Sequence, residues 1–424
     1  MVGKVSDMLK DIPIPKMVRI RQNFDASQIE DIAAAVREEL SRDALISAVK
    51  PGMSIAITAG SRGVNNIALI IREIAEILRE KGAIPFIIPA MGSHGGSLAE
   101  NQRAIVEGYG ITAEYTGCDI KASMETVQIG VREDNGRPIF IDKFAAEADG
   151  IVVVGRVKPH TSFRWKYESG VMKMMTIGLG KQRGAEACHY EGMDTMGYNV
   201  EMFARGILKN ANILFGVGIV ENAYDKTAII KAMTPQEIPE LEPGILETAR
   251  EKMARIMFDK LDVLLVDEIG KNISGEGADP NVTGRFSAPC CQGDIEVKRF
   301  AVLDITEESH GNGMGLGMAD LCSQRVFNKF DREMSYPNAL TSRYSSLCAM
   351  PMVFENHKVT IQAAIQMLLA TEPQDATVVR IKNTLKLGEI EISENLLELA
   401  RQNPNIEILG EPHELVFDEN GDLF

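Results

Sequence analysis

Three apolar runs in the first 160 residues each break off into a short loop bearing polar residues, and this repetition constrains the fold more than any other feature of the sequence. MSIAIT (Met53 to Thr58) reads as a strand buried on both faces, and AGSRG follows as a loop. NNIALIIREIAEILREKG then places Ile67, Ile70, Ile71, Ile74 and Leu78 at helical spacing. The pattern repeats with AIPFIIPA as strand, MGSHGG as loop and SLAENQRAIVEGYG as helix. Ser97 is the expected N-cap of that helix, and Glu100, three residues on, completes a capping box. The third run, GIVVVG (Gly150 to Gly155), leads into RVKPHTSF. Strands alternating with helices build parallel sheets, whose ligands gather at the carboxyl edge of the strands. Ser61, Arg62, His94 and His160 are therefore all expected at one such edge.

A chain of 424 residues exceeds one ordinary hydrophobic core, and the Pro- and Glu-rich tract TPQEIPELEPG (Thr234 to Gly244) reads as a connection between domains, after which the pattern restarts. KLDVLLVDEIG, FAVLDIT and ATVVRIKNT read as strands of a second α/β domain. The expected fold is α/β in two domains, each a mostly parallel sheet flanked by helices. Residues 1–250 form the first and residues 251–404 the second, which closes over the substrate site. The tail, residues 405–424, carries an asparagine-glycine turn and is expected to pack back on either domain.

Composition narrows the function. A formal charge of -15 disfavours nucleic acid and anionic membranes as partners, since both need clustered Lys and Arg to replace counterions. No apolar stretch approaches the roughly 18 residues of a membrane span, and MVGKVSDMLKD lacks a signal-peptide core. Six cysteines without CxxC spacing fit a reducing cytoplasm.

Several residues have the chemistry of a site. Ser61 and Arg62 open a helix, where free amides favour a phosphate or carboxylate and the guanidinium adds a two-pronged grip. The plainer reading is a helix cap with a solvated arginine. His94 lies between glycines, which permit close approach of backbone to a ligand, and His160 ends the third unit; the alternative for each is a turn histidine satisfied by backbone. In SGVMKMMTIGLGKQRGAEACH, one reading buries Met172, Met174 and Met175 and leaves Lys173 at an exposed edge. The other takes Lys173 as a buried amine, which must be paired, neutralised or covalently modified. Cys188 and His189 fall short of a tetrahedral zinc set, but a metal held mainly by an organic cofactor needs only one protein ligand. Lys271 and Asn272, in the loop GKNISGEGADPNVTGR, are the second domain's expected contribution to the substrate site, against a plain surface loop. The stretch ESHGNGMGLG around His310 reads as structural.

The ordered set SRG, GSHGG, His160, Ser169-Gly170 with Lys173, and His189 resembles the lactate racemase family, and the resemblance covers most of the first 200 residues. It implies an isomerase, a racemase or epimerase inverting C2 of a small-molecule 2-hydroxy acid. The implied cofactor is a nickel pincer nucleotide, a pyridinium-3-thioamide-5-thiocarboxylic acid mononucleotide carrying nickel, supplied by cofactor-synthesis enzymes. Lys173 would form the thioamide to it, Ser61, Arg62, Ser169 and Gly170 would help hold it, and His189 would be the nickel ligand. His94 and His160 would be general acid and base, and Arg62 would hold the substrate carboxylate. Ala59 in place of an acid, Val171 in place of a second glycine and the extra residues FRWKYE point to a substrate other than simple lactate, polyhydroxylated or larger. Two rival readings are a lyase or aldolase forming a Schiff base on Lys173, and a non-catalytic nucleotide or sugar-acid binding protein.

Overall fold

The structure is a computed structural model that describes residues 4–61, 63–288 and 291–424, the side chain of Thr341 excepted. The chain divides into two compact units, Asp25–Met253 and a second made of Met1–Phe24 with Ala254–Phe424. Among the described residues, each unit is a mostly parallel sheet flanked by helices, so the fold is α/β.

In the unit Asp25–Met253 the main sheet contains β1 (Ser54–Ala59), β2 (Ile84–Pro89), β3 (Gly150–Arg156), β4 (Ile213–Glu221) and β5 (Thr227–Met233). Their spatial order is β2-β1-β3-β4-β5, parallel except for β5, which returns from β4 as a hairpin. Helices cover both faces, so the central strands are buried without alternation, as their unbroken apolar sequence requires. Helix α1 (Ile67–Glu80) lays Ile70, Ile71, Ile74 and Leu78 fully into the core, each contributing about 1.5–3 kcal/mol by leaving water. Helices α2 (Ala99–Gly108), α3 (Gly170–Lys173), α4 (Lys181–His189), α5 (Met196–Asn210) and α6 (Ile238–Lys252) complete the parts that bear on the site.

Two local expectations are corrected. Ser97 does not cap α2: Gly95, Gly96 and Ser97 all have positive φ, the chain coils left-handed through them, and Leu98 becomes the N-cap with no side-chain bond. The Pro- and Glu-rich tract is no linker, because residues 238–244 belong to α6. Pro239 sits in the first turn, where a missing N–H costs nothing. Pro243 lies inside the helix and deprives the Pro239 carbonyl of its usual partner; the Tyr167 hydroxyl donates to that carbonyl instead, at 2.7 Å.

The second unit orders its strands as Met352–Phe354, Leu321–Ser323, Glu296–Val302, Lys260–Val266, Val378–Ile381, Glu389–Ser393, Met17–Gln22 and Ile406–Ile408. The first five are parallel and the last three are added antiparallel. Residues 4–24, expected in the N-terminal domain, thus lie with the C-terminal part. Buried Met17, Val18 and Ile20 give Met17–Gln22 an apolar strand that fills a place between two other strands. The tail belongs to this unit as well, with the Leu423 N–H donating to buried His357 Nδ1 at 3.0 Å. No helix among the described residues is long and apolar enough to cross a membrane.

The Pro243 compensation is open to measurement. Tyr167→Phe should lower stability by about 1 kcal/mol, because a part-buried carbonyl loses its donor. Urea denaturation reads this directly, and an unchanged midpoint would show that the hydroxyl does not satisfy that carbonyl.

Candidate active site

The carboxyl ends of β1, β2 and β3 are pressed against the segment that carries Lys173, and glycines make the approach possible. A Cβ on Gly155, at the end of β3, would stand 2.7 Å from the Gly170 carbonyl oxygen. One on Gly178 would stand 2.6 Å from the carbonyl oxygen of Ala90, which follows β2, and one on Gly60, after β1, 2.9 Å from Met174 Cε. The Gly92 N–H donates to Gly178 O at 3.3 Å, tying the His94 loop to the same segment. Across the first two loops His94 Nδ1 is hydrogen-bonded to Ser61 Oγ.

His160 and Lys173 converge on one buried ring. The His160 imidazole stacks on Phe163 with centroids 4.2 Å apart, and Lys173 Nζ lies 5.5 Å from the same ring's centroid, at cation–π range. The loop that holds them is fixed by Glu168, whose buried carboxylate accepts from His160 N–H at 2.8 Å and Trp165 N–H at 3.2 Å and pairs with Arg164 and Arg250. At its far end the Ser169 hydroxyl accepts from Lys158 N–H and donates to Lys158 O, both at 2.6 Å. Ser169 therefore closes the loop, and its proton is engaged there.

Helix α3 is one turn long, too short to persist alone, and a buried carboxylate holds its start. Gly170, at φ 72°, lies against Glu242, whose carboxylate accepts from Val171 N–H at 2.7 Å and Met172 N–H at 3.3 Å. Burial nevertheless pushes the Glu242 carboxyl up to about 8, outweighing those two bonds. Immediately after Lys173 the chain winds as a π-helix over Met174–Leu179, a rare form found mostly at functional sites. Of the three methionines in the run, Met172 and Met175 are buried, whereas Met174 and Lys173 are half-buried.

His189 ends α4. Its Nδ1 bonds to Ala185 O at 2.7 Å, which makes Nδ1 the protonated nitrogen and leaves the Nε2 lone pair for a ligand. Burial first, and the Lys173 ammonium besides, lower its pKa and keep the ring neutral. At His160 the order is reversed, since Nδ1 accepts from Ser162 N–H at 3.0 Å and the proton of the neutral ring sits on Nε2. Burial pushes the Cys188 thiol up to about 12, and it contacts Met196 Sδ. Among the described residues, no group of three or more His, Cys, Asp or Glu side chains could hold a metal by itself.

Arg62 lies outside the described residues. Lys271 and Asn272 belong to the other unit, where Lys271 Nζ donates to Gly275 O at 2.6 Å and Asn272 Oδ1 accepts from Thr306 Oγ1 at 2.7 Å. Sequence reasoning missed the buried polar groups that support the site. Lys181, Gln102, Asp142, Glu168 and Glu242 are all fully or almost fully buried, and their partners lie as far as 92 positions away. No signal in the sequence marked them, since Lys181 opens the polar stretch Lys181-Gln182-Arg183.

Comparison with known proteins adds a family match over part of the chain. Residues 9–198 match the model of the lactate racemase N-terminal domain. Among solved structures, the lactate racemase apoprotein from Thermoanaerobacterium thermosaccharolyticum is 14% identical, with a TM-score of 0.48, over 92% of this chain and 97% of that one. A protein from Thermotoga maritima is also 14% identical, with a TM-score of 0.46, over 64% of this chain and 70% of that one. No curated protein matches.

The buried cap on α3 gives a pH signature. Folded Glu242 holds its proton up to about 8, whereas an unfolded glutamate releases it near 4.5, so the folded chain loses stability as pH rises from about 4.5 to 8. Glu242→Gln should remove this part of the decline, measured as the difference in denaturation free energy between pH 5 and pH 8. An unaltered pH dependence would contradict the assignment.

Proposed function

We propose, from the match of residues 9–198 to the lactate racemase N-terminal domain, that this chain is a racemase or epimerase of a 2-hydroxy acid. The observation that carries the reading is the shared ring of Phe163, which sets the Lys173 amine and the His160 imidazole side by side.

The residues present fit the nickel pincer nucleotide. Lys173 offers a half-buried amine for a covalent link, and His189 offers a neutral ring with Nε2 free of its own proton. The absence of any other ligand cluster among the described residues suits a metal whose remaining ligands come from the organic group. When bound, the cofactor supplies a site that takes up a hydride from the substrate carbon and returns it. The protein supplies orientation and proton transfer. Ser169, Gly170 and Glu242 shape the backbone under Lys173, and Ser61 holds His94.

The two imidazoles do not start alike. His160 presents Nε2–H, because Ser162 occupies Nδ1, and so begins as a donor to the oxygen on C2. The hydroxyl of Ser61 can donate or accept, so His94 can adopt either tautomer and take the hydroxyl proton first. Proton transfer of this kind typically contributes about 10² to 10⁴ in rate. Arg62 is proposed for the substrate carboxylate.

The test is a screen of single-enantiomer 2-hydroxy acids for loss of optical purity, using protein made together with the cofactor-synthesis enzymes. Turnover should appear with nickel, vanish in Lys173→Ala, and fall by about 10² to 10⁴ in His94→Ala or His160→Ala. Full activity in Lys173→Ala would overturn the proposal.

A further inference from the structure

We infer that Gln102, itself fixed by Lys181, is the positioning residue for His94; the inference rests on the reading of His94 as a proton-transferring imidazole. The loop of His94 turns through left-handed residues Gly95, Gly96 and Ser97, so its carbonyls find no partners in a regular helix. Side chains from the first turn of α2 reach back to take them. Gln102 Nε2 donates to Gly92 O at 2.9 Å and to His94 O at 3.0 Å, and Asn101 Nδ2 donates to Gly95 O at 3.0 Å. Both protons of the Gln102 amide are thus aimed at the loop.

That orientation is enforced from behind. An ammonium can only donate, and Lys181 Nζ points at Gln102 Oε1 from 3.1 Å, which forbids the flipped amide. Its other contacts are a hydrogen bond to Pro89 O, at the end of β2, at 2.5 Å and an ion pair with Asp142 Oδ2 at 3.2 Å. Lys181, Asp142 and Gln102 are each fully buried, and Lys181 accepts φ 54°, a costly conformation for a side-chain-bearing residue. A buried, ion-paired charge held in a strained backbone ties the end of β2 to the carbonyl of a histidine on the loop beyond it.

Gln102→Glu separates the two halves of this device. The carboxylate still accepts from Lys181, whereas Gly92 O loses the Gln102 donor and His94 O keeps only the Ser97 N–H at 3.4 Å. Histidine-labelled protein gives imidazole nitrogen signals without any need for cofactor or substrate. In Gln102→Glu the His94 signals should move while those of His160 and His189 stay. In the cofactor-loaded enzyme kcat should fall about tenfold or more with KM changed less than about twofold, as expected for a misplaced proton carrier. In a His94→Ala background the same change should have no further effect on residual turnover.

Unmoved His94 signals, or a loss that persists in the His94→Ala background, would overturn the inference in favour of a merely structural role. If Gln102→Glu does not fold, the double variant K181M/D142N, which removes both buried charges together, is read by the same signals with the same criteria. Absence of turnover in the unmodified chain with every 2-hydroxy acid would sink the racemase reading, whereas the His94 signals decide the positioning without it.

Discussion

The site depends on backbone meeting backbone. Three strand ends can approach the Lys173 segment because Gly155, Gly60 and Gly178 lack side chains at the points of contact, where a methyl group would stand under 3 Å from a carbonyl oxygen or from Met174 Cε. Such proximity leaves polar groups stranded from water, so each must find a partner inside. Glu242 accepts from the first amides of α3, Glu168 gathers the amides of the His160 loop, and Gln102 donates to the carbonyls of the His94 loop. The reactive groups sit on short, irregular pieces of chain, and buried side chains supply the order that a long helix would otherwise give.

Much of the first unit was legible in the sequence because its signals are local. β1, β2 and β3 are apolar runs buried on both faces, and the stripe Ile67, Ile70, Ile71, Ile74, Leu78 could only be one face of a helix. The loops after those strands were legible for the same reason, and with them the gathering of Ser61, His94 and His160 at one edge. What escaped was decided by distant partners. The Pro- and Glu-rich tract looked like a break, yet it is helix because Tyr167, 72 positions away, takes the carbonyl that Pro243 abandons. Ser97 looked like a cap, yet two preceding glycines spend the turn in left-handed conformations. Met17–Gln22 carries no label saying which of two sheets it will join, since register depends on strands some 370 residues later. The buried network of Lys181 was invisible, as its acceptors come from three separate elements.

The histidines show how backbone, rather than composition, assigns chemistry. Three rings of the same residue type are set differently by one hydrogen bond each: Ala185 O puts the proton of His189 on Nδ1, Ser162 N–H puts that of His160 on Nε2, and the Ser61 hydroxyl leaves His94 able to carry it on either. These are the different roles that the proposed inversion gives to the three rings, and the sequence offers only three identical letters.

The most direct measurement is peptide mass mapping of the protein produced together with the cofactor-synthesis enzymes. The account predicts a nucleotide-sized mass addition on the peptide containing Lys173 and an unmodified Lys181. Racemisation of a 2-hydroxy acid by protein in which the Lys173 amine is free, or carries the addition at another lysine, would contradict it.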